Sequence, residues 1–106
     1  MKSLDDIRTQ LSDGRFEFTR HAFRRAIERN VSEAEIKQAG KHAEVIEEYP
    51  EDKYSPSVLL LGFTDNKRPL HLQVSSAESD PVKIITRYEP DSSEWADNFS
   101  KRRQDE

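Results

Sequence analysis

Apolar residues recur along this chain in two rhythms. Leu4, Ile7 and Leu11 fall three and four positions apart, which predicts a short amphipathic helix over residues 3–13. Ser3 is its N-cap, Asp5 and Asp6 occupy its first turn, and Gly14 is its stop. Phe16 and Phe18 alternate with Arg15 and Glu17, a short extended segment. From Thr19 the helical period returns. Ala22, Phe23, Ala26 and Ile27 cover one arc of the wheel; His21, Arg24, Arg25, Glu28 and Arg29 cover the other, and Asn30 is a natural end. Ser32-Glu33-Ala34-Glu35 is a capping-box sequence that opens a further helix to about His42, with Val31 and Ile36 placed as a hydrophobic staple.

Beyond residue 44 the period shortens to two. Val45 to Tyr49, Ser57 to Phe63, Leu70 to Ser75 and Val82 to Tyr88 read as strands. They are separated by turn sequences such as Thr64-Asp65-Asn66-Lys67-Arg68 and Ala77 to Pro81. Short links between successive strands predict an antiparallel meander. After Pro90, residues 91–101 read as helix, with Trp95 and Phe99 four apart and able to pack on the sheet. The last six residues are a charged tail. The expected fold is one α+β domain, residues 1–106: N-terminal helices on a four-stranded, mainly antiparallel sheet, with a C-terminal helix.

Composition narrows the function classes. Charged residues (36%) outnumber apolar ones (33%), so the core is small. Without cysteine there is no disulfide and no thiolate metal site. The apolar run Val58 to Leu61 falls far short of the roughly 20 residues of a membrane span, and the N-terminus carries no apolar signal region. A bacterial-type cytoplasmic protein is expected. The net charge of −4 argues against coating nucleic acid by charge alone. That total hides a polarised chain. Residues 20–29 hold four arginines against Glu28, whereas residues 44–52 hold five carboxylates and no cation.

The arginine-rich segment supplies the first candidate site. On an ideal helix His21, Arg25 and Arg29 drift by only about 40° per step and form one row. Two guanidiniums clamp a phosphodiester and an imidazole moves protons near neutral pH, the inventory for transesterification of RNA. The ordinary alternative is a solvated face with an Arg24–Glu28 pair. Against it, cations in the first turn after Thr19 oppose the helix dipole, and broken local rules concentrate at functional sites. His71, on the strand face away from one apolar layer, is the second candidate, its alternative being a structural histidine. Arg87 and Tyr88 end the last strand beside it, facing opposite sides of the sheet. The three histidines have no metal-ligand spacing, and neither a phosphate loop nor a hydrolase elbow occurs. No metal or cofactor is expected.

Several of these segments together resemble a known family. Thr19-Arg20-His21-Ala22, Arg25 and Glu28-Arg29-Asn30-Val31-Ser32 are similar to the opening motif of the bacterial domain-of-unknown-function family 4258. Val45-Ile46-Glu47-Glu48-Tyr49-Pro50, Leu59-Leu60-Leu61-Gly62-Phe63, Arg68-Pro69-Leu70-His71 and Ile84-Ile85-Thr86-Arg87-Tyr88-Glu89-Pro90-Asp91 resemble its later blocks, ending at Trp95. Asn30 stands where the family usually has glycine. The resemblance implies a RelE-like or MqsR-like fold and carries over His21, Arg25, Arg29, His71, Thr86 and Tyr88. The resemblance is to toxins and supplies no activity of its own; taken with the candidate residues, the expected function is the toxin of a type II toxin–antitoxin pair, a metal-independent ribonuclease acting on mRNA. The expected partner is an antitoxin encoded nearby, of a zinc-binding Cys-x-x-Cys type. His21 and His71 would be catalytic, with Arg25, Arg29, Arg87 and Tyr88 binding substrate. The alternative is a non-catalytic module that docks an acidic protein partner through the basic helix.

Overall fold

The computed structural model describes residues 3–19, 31–52, 55–77 and 81–102. The helix expected over residues 19–30 therefore lies outside the described residues. Helix α1 (Leu4–Ser12) starts where Ser3 Oγ accepts the Asp6 N–H. It ends in a left-handed turn at Gly14 (φ 79°), where Gly14 and Arg15 N–H groups donate to the Leu11 and Gln10 carbonyls. Helix α2 (Glu33–Gly40) opens on the expected capping box, with Ser32 and Glu35 exchanging side-chain and backbone hydrogen bonds. No helix among the described residues is long and apolar enough to cross a membrane.

The strands are β1 (Phe16–Phe18), β2 (Glu44–Tyr49), β3 (Ser57–Phe63), β4 (Pro69–Ser75) and β5 (Val82–Tyr88). They form one mixed sheet in the order β1-β5-β4-β3-β2. The meander β2–β5 is antiparallel, as its short turns require. Here the expectation of a four-stranded RelE-like sheet is corrected. Phe16–Phe18 adds a fifth strand, parallel to β5, with Phe16 opposite Val82. Backbone bonds from Val82 N–H to Arg15 and from Thr19 N–H to Ile84 extend that pairing at both ends.

The expected C-terminal helix is corrected as well. Residues 91–94 make one turn, with Glu94 and Trp95 N–H both donating to the Asp91 carbonyl. The chain then folds back as a small hairpin of β6 (Trp95–Ala96) and β7 (Lys101–Arg102). Asp97, Asn98 and Phe99 between them take φ of 51°, 58° and 71°. Asp and Asn tolerate this left-handed region, whereas for Phe it is an outlier. Spacing alone could not separate helix from hairpin, because Trp95 is needed on the sheet in either case.

Both helices pack on one sheet face. Ile7, Leu11, Val31, Ile36 and Ala39 meet Val58, Leu60, Leu70, Leu72, Val74, Val82 and Ile84 in one buried cluster. Contact between α2 and β3 is backbone-close at Gly62, where a β-carbon would run into the Ala39 carbonyl. Arg68, after the β3–β4 turn, bonds Glu35 of α2 at 2.6 Å and Glu89 beyond β5 at 2.5 Å. Gly62→Ala is expected to destabilise the fold by about 1–3 kcal/mol, because the helix must move off the sheet. Urea denaturation measures this, and a loss below about 0.5 kcal/mol would contradict the close approach.

Candidate functional site

Directly opposite residues on paired strands share a sheet face. Leu60 and Leu72 stand in the helix-facing core, so Leu61, His71 and Tyr88, which are cross-strand neighbours, point the other way. Beside them on that second face lie Glu47, Leu59, Gln73 and Thr86 in one row, and Tyr49, Ser57 and Ser75 in the next. A register shift between Val45 and Glu47 sets which of the β2 side chains reach this face. The second face is thus largely polar, and the C-terminal hairpin covers its centre.

His71 is wholly buried. Its Nδ1 lies 3.1 Å from the Tyr88 hydroxyl and its Nε2 lies 2.8 Å from the Phe99 carbonyl. A carbonyl only accepts, so Nε2 carries the proton and Nδ1 accepts from Tyr88. The Trp95 ring stands edge-on to the imidazole, centroids 4.3 Å apart. Burial pushes the His71 pKa down, against smaller opposing effects of the Phe99 bond and the Glu47 charge. Around the ring a charged group closes. Arg102 donates to Glu47 through Nε (2.8 Å) and Nη2 (3.1 Å) and stacks over Trp95, while the Tyr49 hydroxyl donates to the same carboxylate. Burial works against ionisation of Glu47, but the bonds from Arg102 and Tyr49 hold its pKa below the usual carboxylate range. Burial and the Glu47 bond raise the Tyr49 pKa. Nearby, Gln73 Nε2 donates to Ser57 Oγ at 3.0 Å and to Asp52 at 3.3 Å, and Thr86 Oγ1 is buried without a hydrogen-bond partner.

The sequence-derived candidates distribute unevenly over this geometry. His71 and Tyr88 meet. His21, Arg25 and Arg29 lie outside the described residues. Arg87 pairs with Leu72 and so faces the helix side of the sheet, away from Tyr88. Only 6% of it is exposed, its guanidinium sits 3.9 Å from the Phe18 ring centroid, and its Nε and Nη1 have no hydrogen-bond partner. Burial lowers its pKa, offset in part by the charge of Glu33. The sequence reading missed Glu47, Tyr49 and Arg102. Glu47 and Tyr49 are two apart on an edge strand, a period-two signal for a shared face. Arg102 reaches them through the hairpin, which nothing in its tail-like surroundings signals.

What emerges is a mostly β domain with two short helices among the described residues, whose sheet gathers a buried histidine, a half-buried carboxylate, two half-buried phenols and an exposed guanidinium on the face opposite those helices. The family model described as Domain of unknown function (DUF4258) matches residues 18–89, and the chain belongs to that family. No curated protein and no solved structure matches it. The matched span contains Glu47, Tyr49, His71, Thr86 and Tyr88, while the hairpin bearing Trp95, Phe99 and Arg102 lies beyond it.

Burial of a neutral His71 has a pH signature. Below the ordinary imidazole value near 6.5 the unfolded chain binds a proton that the folded chain resists, so stability falls as pH drops. The stabilisation is fully present above about 6.5 and is lost progressively as pH falls below it. Wild type should therefore show a falling urea midpoint from pH 7 to about 5. His71→Gln, although less stable, should lack that component. Parallel pH profiles for the two proteins would refute the neutral, buried assignment.

Proposed function

We propose that the domain is the toxin of a toxin–antitoxin pair and acts on messenger RNA as a metal-independent ribonuclease. The observation that carries this reading is the convergence of His71, Glu47, Tyr49, Tyr88 and Arg102 on one sheet face. RNA transesterification needs a base for the 2′-hydroxyl proton, an acid to protonate the departing 5′-oxygen, and cations against the phosphorane charge. As the 2′-oxygen bonds to phosphorus, the bond to the 5′-oxygen breaks, leaving a 2′,3′-cyclic phosphate and a 5′-hydroxyl. Glu47, held ionised, and His71, held neutral, are bases at neutral pH. Arg102 supplies a cation beside them, and Tyr88 orients the His71 ring. His21 completes the acid–base pair with His71 in this reading, and Arg25 and Arg29 hold the phosphate. Arg87 faces the other side of the sheet and stays outside this site. Burial of His71 adds a condition: Trp95 and Phe99 must leave the ring before substrate reaches it. The partner is an antitoxin of the zinc-binding Cys-x-x-Cys kind, encoded nearby.

One observation favours a second reading. Both ring nitrogens of His71 are occupied and the ring is closed from solvent, as in a purely structural core. The domain would then be a non-catalytic module that docks an acidic partner through the arginines of residues 20–29. The two readings separate by experiment. A toxin arrests growth on induction, is neutralised by the neighbouring gene product, and cuts RNA in chelator to leave cyclic-phosphate ends. Glu47→Gln and His21→Ala should each slow cutting by about 10²- to 10⁴-fold, the usual contribution of a general acid or base. Purified protein that leaves RNA and translation untouched, with His21→Ala as toxic as wild type, would sink the ribonuclease reading. Loss of partner capture in Arg25→Glu, with no nuclease found, would establish the docking module.

A further inference from the structure

An open groove of about 1070 Å³ runs between the ends of α1 and α2, the β3–β4 turn and the tip of the C-terminal hairpin. That is at or above the upper end of small-molecule sites, roughly 300–1,000 Å³. Its walls carry Lys37, Lys41, His42, Phe63, Lys67 and Asn98, with the carboxylates of Asp13 and Asp65 also lining it. Its lysines and aspartates give the groove three positive and two negative charges, a local excess of one cation in a chain of net charge −4.

Three features give the groove a purpose. First, none of the three lysines pairs with a carboxylate among the described residues, so their charges are available to a ligand. Second, Phe63 is 39% exposed, and large apolar residues elsewhere among the described residues are covered except Val45. Phe63 follows Leu59 and Leu61 in the alternation of β3, so it stands on the same sheet face as His71. Third, the walls are fixed before any ligand arrives. The Asp65 N–H donates to Gln38 Oε1 at 3.0 Å, which ties the β3–β4 turn to α2. Within that turn Thr64 bonds Lys67 and Arg68, and Lys67 is held at φ 66°. The groove ends at Asn98, one residue from the Phe99 carbonyl that bonds His71.

Spaced cations with one exposed ring match single-stranded nucleic acid, in which phosphates meet the cations and a base stacks on the aromatic face. We infer that this groove binds the backbone of single-stranded RNA, with a base on Phe63, and leads the strand toward the hairpin that covers His71. The inference rests on the ribonuclease reading for its choice of RNA, and it names where that RNA lies. A strand in the groove touches the hairpin at Asn98, which places it against the element that must open.

The test uses the full chain and 2′-O-methyl RNA of about 12 nucleotides, within the site sizes of single-strand binders. The blocked 2′-oxygen prevents cleavage, so binding is read alone, by fluorescence anisotropy at low salt. The triple variant Lys37→Glu, Lys41→Glu, Lys67→Glu should bind at least about 10-fold more weakly. Its log–log salt slope should fall by about 2, at about 0.7 per phosphate contact on a single strand. Phe63→Ala should lose about 5-fold or more with an unchanged slope, and thermal melts of each variant separate lost binding from lost fold. If groove variants bind and cut like wild type, the groove assignment fails while the ribonuclease reading stands. If RNA binds through the groove and is never cut, the groove stands and the ribonuclease reading fails. Wild type that binds no RNA overturns the groove assignment.

Discussion

Strand β4 is covered on both faces, and much of the molecule follows from that constraint. Leu70, Leu72 and Val74 face the helices, whereas His71, Gln73 and Ser75 face the other way. A polar side chain removed from water must find a partner or cost free energy of a few kcal/mol. Each of the three does. Gln73 reaches Asp52 and Ser57, Ser75 reaches Ser55 at 2.8 Å, and His71 is met by Tyr88 and by a backbone carbonyl from outside the meander. The hairpin is thus the partner that a central histidine requires.

The same requirement brings charges together that would otherwise lie apart. Once Trp95 packs on the imidazole, its cross-strand neighbour Arg102 stands over the indole and within reach of Glu47. A structural need and a chemical inventory coincide on one face. The helix side shows the opposite balance. Arg87 is placed under the core with two guanidinium nitrogens, Nε and Nη1, that have no hydrogen-bond partner, and the Phe18 ring is the neighbour that offsets its burial. Among the described residues two buried basic groups thus lie on opposite faces, His71 with both ring nitrogens hydrogen-bonded and Arg87 without partners for Nε and Nη1.

Local signals in the sequence were easy to read where structure is local. Ser3, Gly14 and the Ser32–Glu35 box mark helix ends through bonds that span three to five residues, and the alternation of β3 and β4 gives both faces of the sheet. Pairing at a distance was not legible. Three residues, Phe16 to Phe18, look extended by alternation, but their partners are 66 positions away and nothing local names them. At the C-terminus, Asp97 and Asn98 are residue types that tolerate left-handed backbone, but the i, i+4 spacing of Trp95 and Phe99 is satisfied equally by a helix and by this hairpin. The candidate site divided in the same way. Tyr88 beside His71 follows from strand register, whereas Glu47 and Arg102 joined it through a bulge and a turn.

The parallel strand β1 also sets an order of events. Antiparallel β2–β5 can zip through short turns, each closing a small loop at little entropic cost. Joining β1 to β5 closes a loop of most of the chain, and its three residues return little until β5 is already in place. The edge carrying Phe16 and Phe18 is therefore expected to form after the meander it joins. Arg87 lies beneath that edge, stacked on Phe18. Each opening of β1 would uncover a buried guanidinium to water without disturbing the meander behind it.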